Sequence, residues 1–328
     1  MINTYRNGAM NLIKKKELLA YGFSLLYAII FGLSFLFSKI ALDITTPFKL
    51  IAFRFLLAFL FLSLLVAFRI IKINYRGKSL KNLFILSLAQ PVIYFIFETY
   101  GIKFSSTSHA GLMTALIPII VSILGIIFLN ENPSKAQWIF ILLSVSGVIF
   151  IILMDSSPES QNTILGTIFL LVTVLVASLY NILSRKSSVY FSSAEITYFM
   201  MGTGAVFFSI IALIIDIING DLGTFFYPLL NMDFLLSIAY LGILSSVVAF
   251  FSMNFALANL PASKASIFGN LSTVISIIAG VVILKEAFYY YHVIGSITII
   301  SGIIGTNYYN AKKARILEEE KLLNKDLY

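Results

Sequence analysis

The chain contains no cysteine, a single tryptophan and two histidines, and Asp, Glu, Lys and Arg together make up only 12% of its 328 residues. Without cysteine there is no disulfide, no thiolate metal ligand and no cysteine nucleophile. The two histidines, His109 and His292, lie far apart, with no second histidine at ligand spacing, so no metal site is expected. No GxxxxGK[ST] run occurs, which excludes a P-loop and direct drive by ATP. Neither His-x-x-x-His nor Asp-Asp-x-x-Asp occurs, and a membrane-embedded enzyme would need a cluster of that kind. Nothing calls for a cofactor. The scarcity of charge excludes most. Soluble domains carry roughly 25% charged residues. Half that density leaves too little polar surface to cover a body in water.

What the chain has is apolar length. Hydrophobic residues make up 59%, and the mean hydropathy is +0.96. Apolar runs of about 20 residues, the length that crosses a bilayer as a helix, fall at 18–38, 48–71, 80–102, 108–129, 136–154, 163–184, 194–218, 233–257, 261–284 and 290–310. The expected fold is therefore an all-α integral membrane protein with ten transmembrane helices. Every connection is short, which leaves no room for a separate soluble domain. The polar, basic start from Met1 to Glu17 precedes an apolar stretch longer than a signal-peptide core, so the first helix is expected to stay attached.

Basic residues set the orientation. With both termini in the cytoplasm, eighteen of the 23 Lys and Arg fall inside, including Lys14–Lys16, Arg69–Lys81, Lys135, Arg185, Lys186, Lys264 and the tail from Lys312. Only Lys39, Lys49, Arg54, Lys103 and Lys285 fall toward the outside. The formal charge of +8 is thus read as topology, and nucleic acid is not an expected partner. The expected partners are the lipid bilayer of the cell membrane and a small-molecule substrate. Proton or other ion coupling stays open, as does the choice between monomer and homodimer.

The chain also repeats. At a constant offset Ser108 meets Ser263, Ala110 meets Ala265, Gly125 meets Gly280, Leu129 meets Leu284 and Glu131 meets Glu286. Ser146-Gly147 then meets Ser301-Gly302, and a shorter offset sets Ser38-Lys39 against Ser184-Arg185. The expected halves are 18–154 and 163–310, flanked by cytoplasmic tails 1–17 and 311–328. Five spans per half is an odd number, so the second half would lie inverted. Inverted repeats around a central site are a recurring plan of secondary transporters.

These residues carry a resemblance to a known family. Thr107-Ser108-His109-Ala110, then Pro118, Gly125 and Leu129-Asn130-Glu131, is one copy of a segment. Ala262-Ser263-Lys264-Ala265, Gly280 and Leu284-Lys285-Glu286 is the second. With Phe31-Gly32, Pro47 through Arg54, and Tyr94 through Gly101, the chain resembles the EamA-type ten-helix transporters of the drug/metabolite transporter superfamily, over roughly 19–310. Two departures stand out: Thr273 where the first copy has Pro118, and Phe31 where the family usually has Trp. The resemblance implies a transporter, often an exporter, of amino acids, nucleosides or similar small metabolites. It also implies a central cavity lined by the third, fourth, eighth and ninth helices.

Polar residues inside apolar spans are the candidate site. Gln90, Tyr94 and Glu98 recur every fourth residue, on one stripe of the third helix. Such groups are costly in hydrocarbon, so they should face the interior, as a substrate stripe or as packing glue. Thr114, Pro118, Ser122 and Gly125 share a face of the fourth helix, and Ser266, Asn270 and Thr273 a face of the ninth. Ser246 and Asn254 do the same on the eighth, with Tyr180 and Asn181 weaker candidates on the sixth. Pro118 removes a backbone donor inside the membrane. Arg54 lies roughly 10 Å below the outer start of the second helix and needs a partner, for which Glu98 is at a suitable level; the alternative is snorkelling. His109 and Lys264 are repeat-equivalent and read as gate contacts or interfacial anchors. Glu131 and Glu286 are read as structural carboxylates that satisfy N–H groups where the next helix starts. A membrane-embedded enzyme, or a membrane assembly protein without transport, is the rival reading.

Overall fold

A computed structural model of the chain describes residues 2–129, 134–154, 160–266, 268–286 and 289–323. Among the described residues there is helix and no strand. The helices are α1 (Ile2–Leu42), α2 (Pro47–Ala67), α3 (Lys81–Lys103), α4 (Thr107–Phe128), α5 (Lys135–Met154), α6 (Ser160–Ser187), α7 (Ser193–Asn219), α8 (Met232–Asn259), α9 in two pieces (Ala262–Ser266 and Gly269–Ile283) and α10 (Tyr290–Leu323). Seven segments, within α1, α2, α3, α4, α6, α7 and α8, are long and apolar enough to cross a membrane. Helices also cover the other three apolar runs.

Local chemistry sets the boundaries. Pro47 occupies the first turn of α2, where its missing N–H costs nothing. Ser192 and Glu195 close a capping box on α7, and Gly220, at φ 75°, ends it. Asn231 accepts from the N–H groups of Asp233 and Phe234 at the start of α8. The second span ends earlier than the apolar run 48–71 suggests. Helix α2 stops at Ala67, and Arg69 adopts φ 60° while Ile70 N–H bonds the carbonyl of Leu65. Hydrophobicity alone did not show that left-handed stop.

Two ends of the bundle can be named from their contacts. The loops at 43–46, 104–106, 220–231 and 284–286 gather at a distal end, where Lys49 of α2 pairs with Asp216 of α7 at 2.7 Å. The loops at 68–80, 188–192 and 260–261 gather at a proximal end, where Lys78 pairs with Glu195 at 2.8 Å. Glu195 also accepts from Asn74 N–H, and its carbonyl accepts from Tyr75 Oη. Burial, and then the Glu195 carboxylate, push the Tyr75 phenol up from its ordinary value, so it stays a donor. Helix α2 thus packs on α7, and the two ion pairs tie α7 to α2 at the distal end and to the 68–80 loop at the proximal one.

Helix α1 packs on α8 and α9, α6 packs on α3 and α4, and α5 and α10 pack chiefly on each other. Side chains such as Leu60, Leu64, Leu171, Ile210 and Ile278 remain exposed on the outside of the bundle, as lipid contact requires. The core is strongly aromatic, with Phe55, Phe95, Phe208 and Phe250 fully buried.

One pair of contacts follows the sequence repeat. Lys39 Nζ donates to the carbonyls of Ile102, at 3.1 Å, and Ser105, at 2.8 Å, where α3 ends. Arg185 Nη1 donates to the carbonyls of Leu257, at 2.7 Å, and Leu260, where α8 ends. Each cation satisfies carbonyls that a helix C-terminus leaves open. The two caps lie at opposite ends of the bundle.

Candidate functional site

The breaks in the helices come first, because they place the site. In α3, residues Leu88–Ile93 are π-helical, and Gln90 leaves helical geometry at φ −142°, ψ 115°, just before Pro91. Proline cannot donate, and it pushes its predecessor out of the α region. In α8, residues Tyr240–Ala249 are also π-helical. The repeat offset that sets Ser108 on Ser263 carries 88–93 onto 243–248, inside that second stretch. Irregular backbone at matching depths in two halves is where transporters of this plan hold substrate.

A central cavity of about 70 Å³ is lined by Gln90 of the first stretch and by Phe250, the residue that follows the second. That is room for only a few water molecules. Gln90, Tyr94 and Glu98 all line it, so the sequence stripe survives the break in its helix. Thr114 joins from α4, Arg54 from α2, Asn181 from α6, and Ser266 and Ser272 from α9. Phe31, Phe35, Phe95, Phe250 and Tyr27 supply apolar walls.

Arg54 is 3% exposed and does not snorkel. Its Nε donates to Ser246 Oγ and its Nη2 to Ser245 Oγ, both at 2.8 Å, and its guanidinium lies 4.4 Å from the centre of the Phe95 ring. Two consecutive serines reach one guanidinium within the π-helical stretch of α8. Glu98 accepts from Tyr94 Oη at 2.8 Å. The expected direct Arg54–Glu98 ion pair is not formed: among the described residues, ion pairs join Lys49 to Asp216 and Lys78 to Glu195. Both side chains line the same cavity. Serine hydroxyls and an aromatic face hold the cation in place of the carboxylate, which stays turned toward its own helix. Gln90 Oε1 is buried without a partner.

Other expected residues lie elsewhere. Asn254 is fully buried, but its Oδ1 accepts from Tyr180 Oη at 2.5 Å and Ser184 Oγ at 2.7 Å, and its Nδ2 donates to Thr197 Oγ1 at 3.0 Å. It knots α6, α7 and α8 together and is not among the cavity's walls. Ser246 serves Arg54. Thr273 Oγ1 sits 3.5 Å from Thr114 Oγ1, and Asn270 Oδ1 is buried without a partner, but neither lines the cavity. Pro118 follows a non-helical turn at Ala115–Leu116, and its carbonyl accepts from Ser122 Oγ. His109 is buried near the distal start of α4, and its Nε2 lies 2.7 Å from Thr167 Oγ1 of α6. Glu286 binds N–H groups at a helix start, but that helix is α4, not the one that follows it in sequence. Glu131 lies outside the described residues, as does the side chain of Lys264. Tyr27, Ser34 and Ser272 were missed. Their one sequence signal is a hydroxyl within an apolar span, which many packing residues share. Among the described residues no cluster of three His, Asp or Glu side chains comes together.

The model of the EamA-like transporter family matches this chain twice, over residues 18–153 and 164–308. The chain belongs to the EamA-like transporter family. It is similar to the uncharacterized transporter YcxC of Bacillus subtilis (strain 168), with 37% identity over 304 residues, covering 93% of this chain and 97% of that one. It is also similar to the uncharacterized transporter YetK of the same organism, with 26% identity over 307 residues, covering 92% and 91%. An uncharacterized transporter of Archaeoglobus fulgidus is 26% identical over 271 residues, covering 82% of this chain. A solved crystal structure shares the fold at TM-score 0.63 and 16% identity, covering 89% of this chain and 98% of that one. With its apolar helices, family membership makes this EamA-type member of the drug/metabolite transporter superfamily a multi-pass membrane protein and a transporter.

Proposed function

We propose that the chain is a secondary transporter, working as an exporter, for a small metabolite such as an amino acid, a nucleoside or a drug-like compound. It crosses the cell membrane ten times as two inverted five-helix halves, 18–154 and 163–310, with both termini in the cytoplasm. The proximal end of the bundle is then the cytoplasmic one, which agrees with the basic residues on its loops. Transport proceeds by alternating access: the halves exchange shapes, and the central cavity opens to one face and then the other.

The observation that carries this reading is the cavity. It is lined by Gln90 of one irregular stretch and by Arg54, which bonds Ser245 and Ser246 of the other, and it brings a buried cation, a buried acidic side chain and an unpartnered amide oxygen together. Charges within a membrane span are expensive and tend to mark a substrate or ion path. Arg54 fits an anionic group, Glu98 and Gln90 fit donors, and the aromatic walls fit an apolar body. Glu98 is also the residue placed to carry a coupled proton. At about 70 Å³ the cavity is too small for such a substrate, so it has to widen when one enters.

A toxicity-rescue screen tests the function. Cells overproducing the chain should tolerate a raised concentration of the substrate, and everted vesicles should accumulate it. If no amino acid, nucleoside or drug is moved in either direction, the proposal fails and an enzymatic or assembly role becomes the better reading.

A further inference from the structure

Helix α4 meets α9 along a seam of small side chains at the distal end. Ser108, Gly111 and Thr114 of α4 face Gly280, Ser276 and Thr273 of α9. A methyl on Gly111 would fall 1.5 Å from Ser276 Oγ, and one on Gly280 would fall 2.5 Å from Ser108 Oγ. The seam runs from the rim to Thr114, which lines the cavity. It therefore separates the cavity from the distal face.

The top of the seam is clasped by Glu286. Its Oε1 accepts from Thr107 N–H at 2.6 Å, and its Oε2 accepts from Ser108 N–H at 2.9 Å and Ser108 Oγ at 2.7 Å. A carboxylate at a helix N-terminus is favoured both by the open N–H groups and by the helix dipole. The chain is shaped to deliver it. Lys285 takes φ 54°, and Glu286 N–H bonds the carbonyl of Gly280, a helix ending that turns the carboxylate onto α4. Gly280 leaves the carboxylate its room: a methyl there would stand 2.3 Å from Glu286 Oε2, so the clasp would have to shift.

The clasped segment can pivot. Thr107–Thr114 is separated from Ile117–Leu129 by the turn at Ala115–Leu116, and Pro118 has no N–H to offer the carbonyl of Thr114. We propose that Thr107–Thr114 is the outer gate of the cavity and that Glu286 is its latch. The inference rests on the transport reading above. The structure holds the gate shut. Opening breaks the three Glu286 bonds together, gives up the His109–Thr167 contact with α6 and parts the seam of small side chains, as the segment swings about residues 115–116.

The absence of cysteine gives a clean background for the test. Ser34, on α1, lines the cavity and touches neither seam nor latch, so a Ser34→Cys reporter reads access. A membrane-impermeant maleimide is applied to the outside of intact cells. Glu286→Gln should raise the labelling rate about tenfold, the scale of one charge-assisted hydrogen bond lost. Gly280→Ala breaks the latch from the other side and should act in the same direction, which keeps the test decisive if one variant fails to fold. Ser108→Ala removes one bond and should give a smaller rise. Unchanged outer labelling in a folded Glu286→Gln or Gly280→Ala chain overturns the latch, as does an equal rise from both faces. Labelling needs no known substrate, so failure to find a transported compound sinks the transport reading and not the latch. Unchanged labelling in a chain that does transport sinks the latch alone.

Discussion

Two buried polar clusters lie within the helical bundle, and they differ in how their hydrogen bonds close. Around Asn254, both ends of the amide are used: Tyr180, Ser184 and Thr197 bind it, and it is not among the walls of the central cavity. Around Arg54, the cation rests on two serines and an aromatic ring, the carboxylate of Glu98 on its own neighbour Tyr94, and Gln90 Oε1 on nothing. The first cluster is closed and the second is open toward a cavity. A polar residue in a membrane span is therefore not by itself a sign of function; what separates the two cases is whether its bonding capacity is already spent.

Breaking the open cluster should have the largest effect. Arg54→Ala strands the buried hydroxyls of Ser245 and Ser246, each at a cost of about 1–3 kcal/mol, and empties the cation's place in the cavity. The thermal midpoint in detergent should fall and efflux should disappear. Arg54→Lys should recover little, since one ammonium does not reproduce the guanidinium fork on Ser245 and Ser246. A variant that melts and transports like the parent would erase the contrast.

Breaking the closed cluster should cost stability alone. Asn254→Ala strands the hydroxyls of Tyr180 and Ser184, a loss of about 1–3 kcal/mol, with half-saturation by substrate unchanged. A shift in half-saturation would move Asn254 into the substrate path. Gln90→Met sharpens the contrast from the other side. It removes an acceptor that has no partner, so the melting temperature should hold or rise. Half-saturation should weaken about tenfold if substrate supplies the missing donor, that being one hydrogen bond of about 1.4 kcal/mol. The smallest effect belongs to the proximal strap. Glu195→Gln loosens a pair whose lysine is partly exposed, so it should cost no more than about 1 kcal/mol and leave transport intact.

Much of this was legible in the sequence. Apolar length marked the seven long apolar helices found among the described residues, and fourfold spacing placed Gln90, Tyr94 and Glu98 on one surface. Periodicity reports which residues share a face, but not which helix that face meets. Arg54 and Glu98 stand at similar depth, yet Arg54 turns to serines some 190 residues downstream. Asn254 looked like a ligand group for the same reason: its three partners come from two other helices. Glu286 was read as a helix-start carboxylate, but the helix it caps lies in the other half of the chain. Pro91 was a signal left unused, for a proline inside an apolar run announces the break at Gln90.

The most direct test of the account is the exposure of the cavity to each face in turn. Ser272, on α9, lines it, so a Ser272→Cys chain can be labelled with impermeant maleimide from the outside of cells and, separately, from the cytoplasmic side of everted vesicles. The account predicts reaction from both faces, slowed from both by the compound that the rescue screen identifies. Reaction from one face alone, or labelling that this compound does not slow, would contradict it.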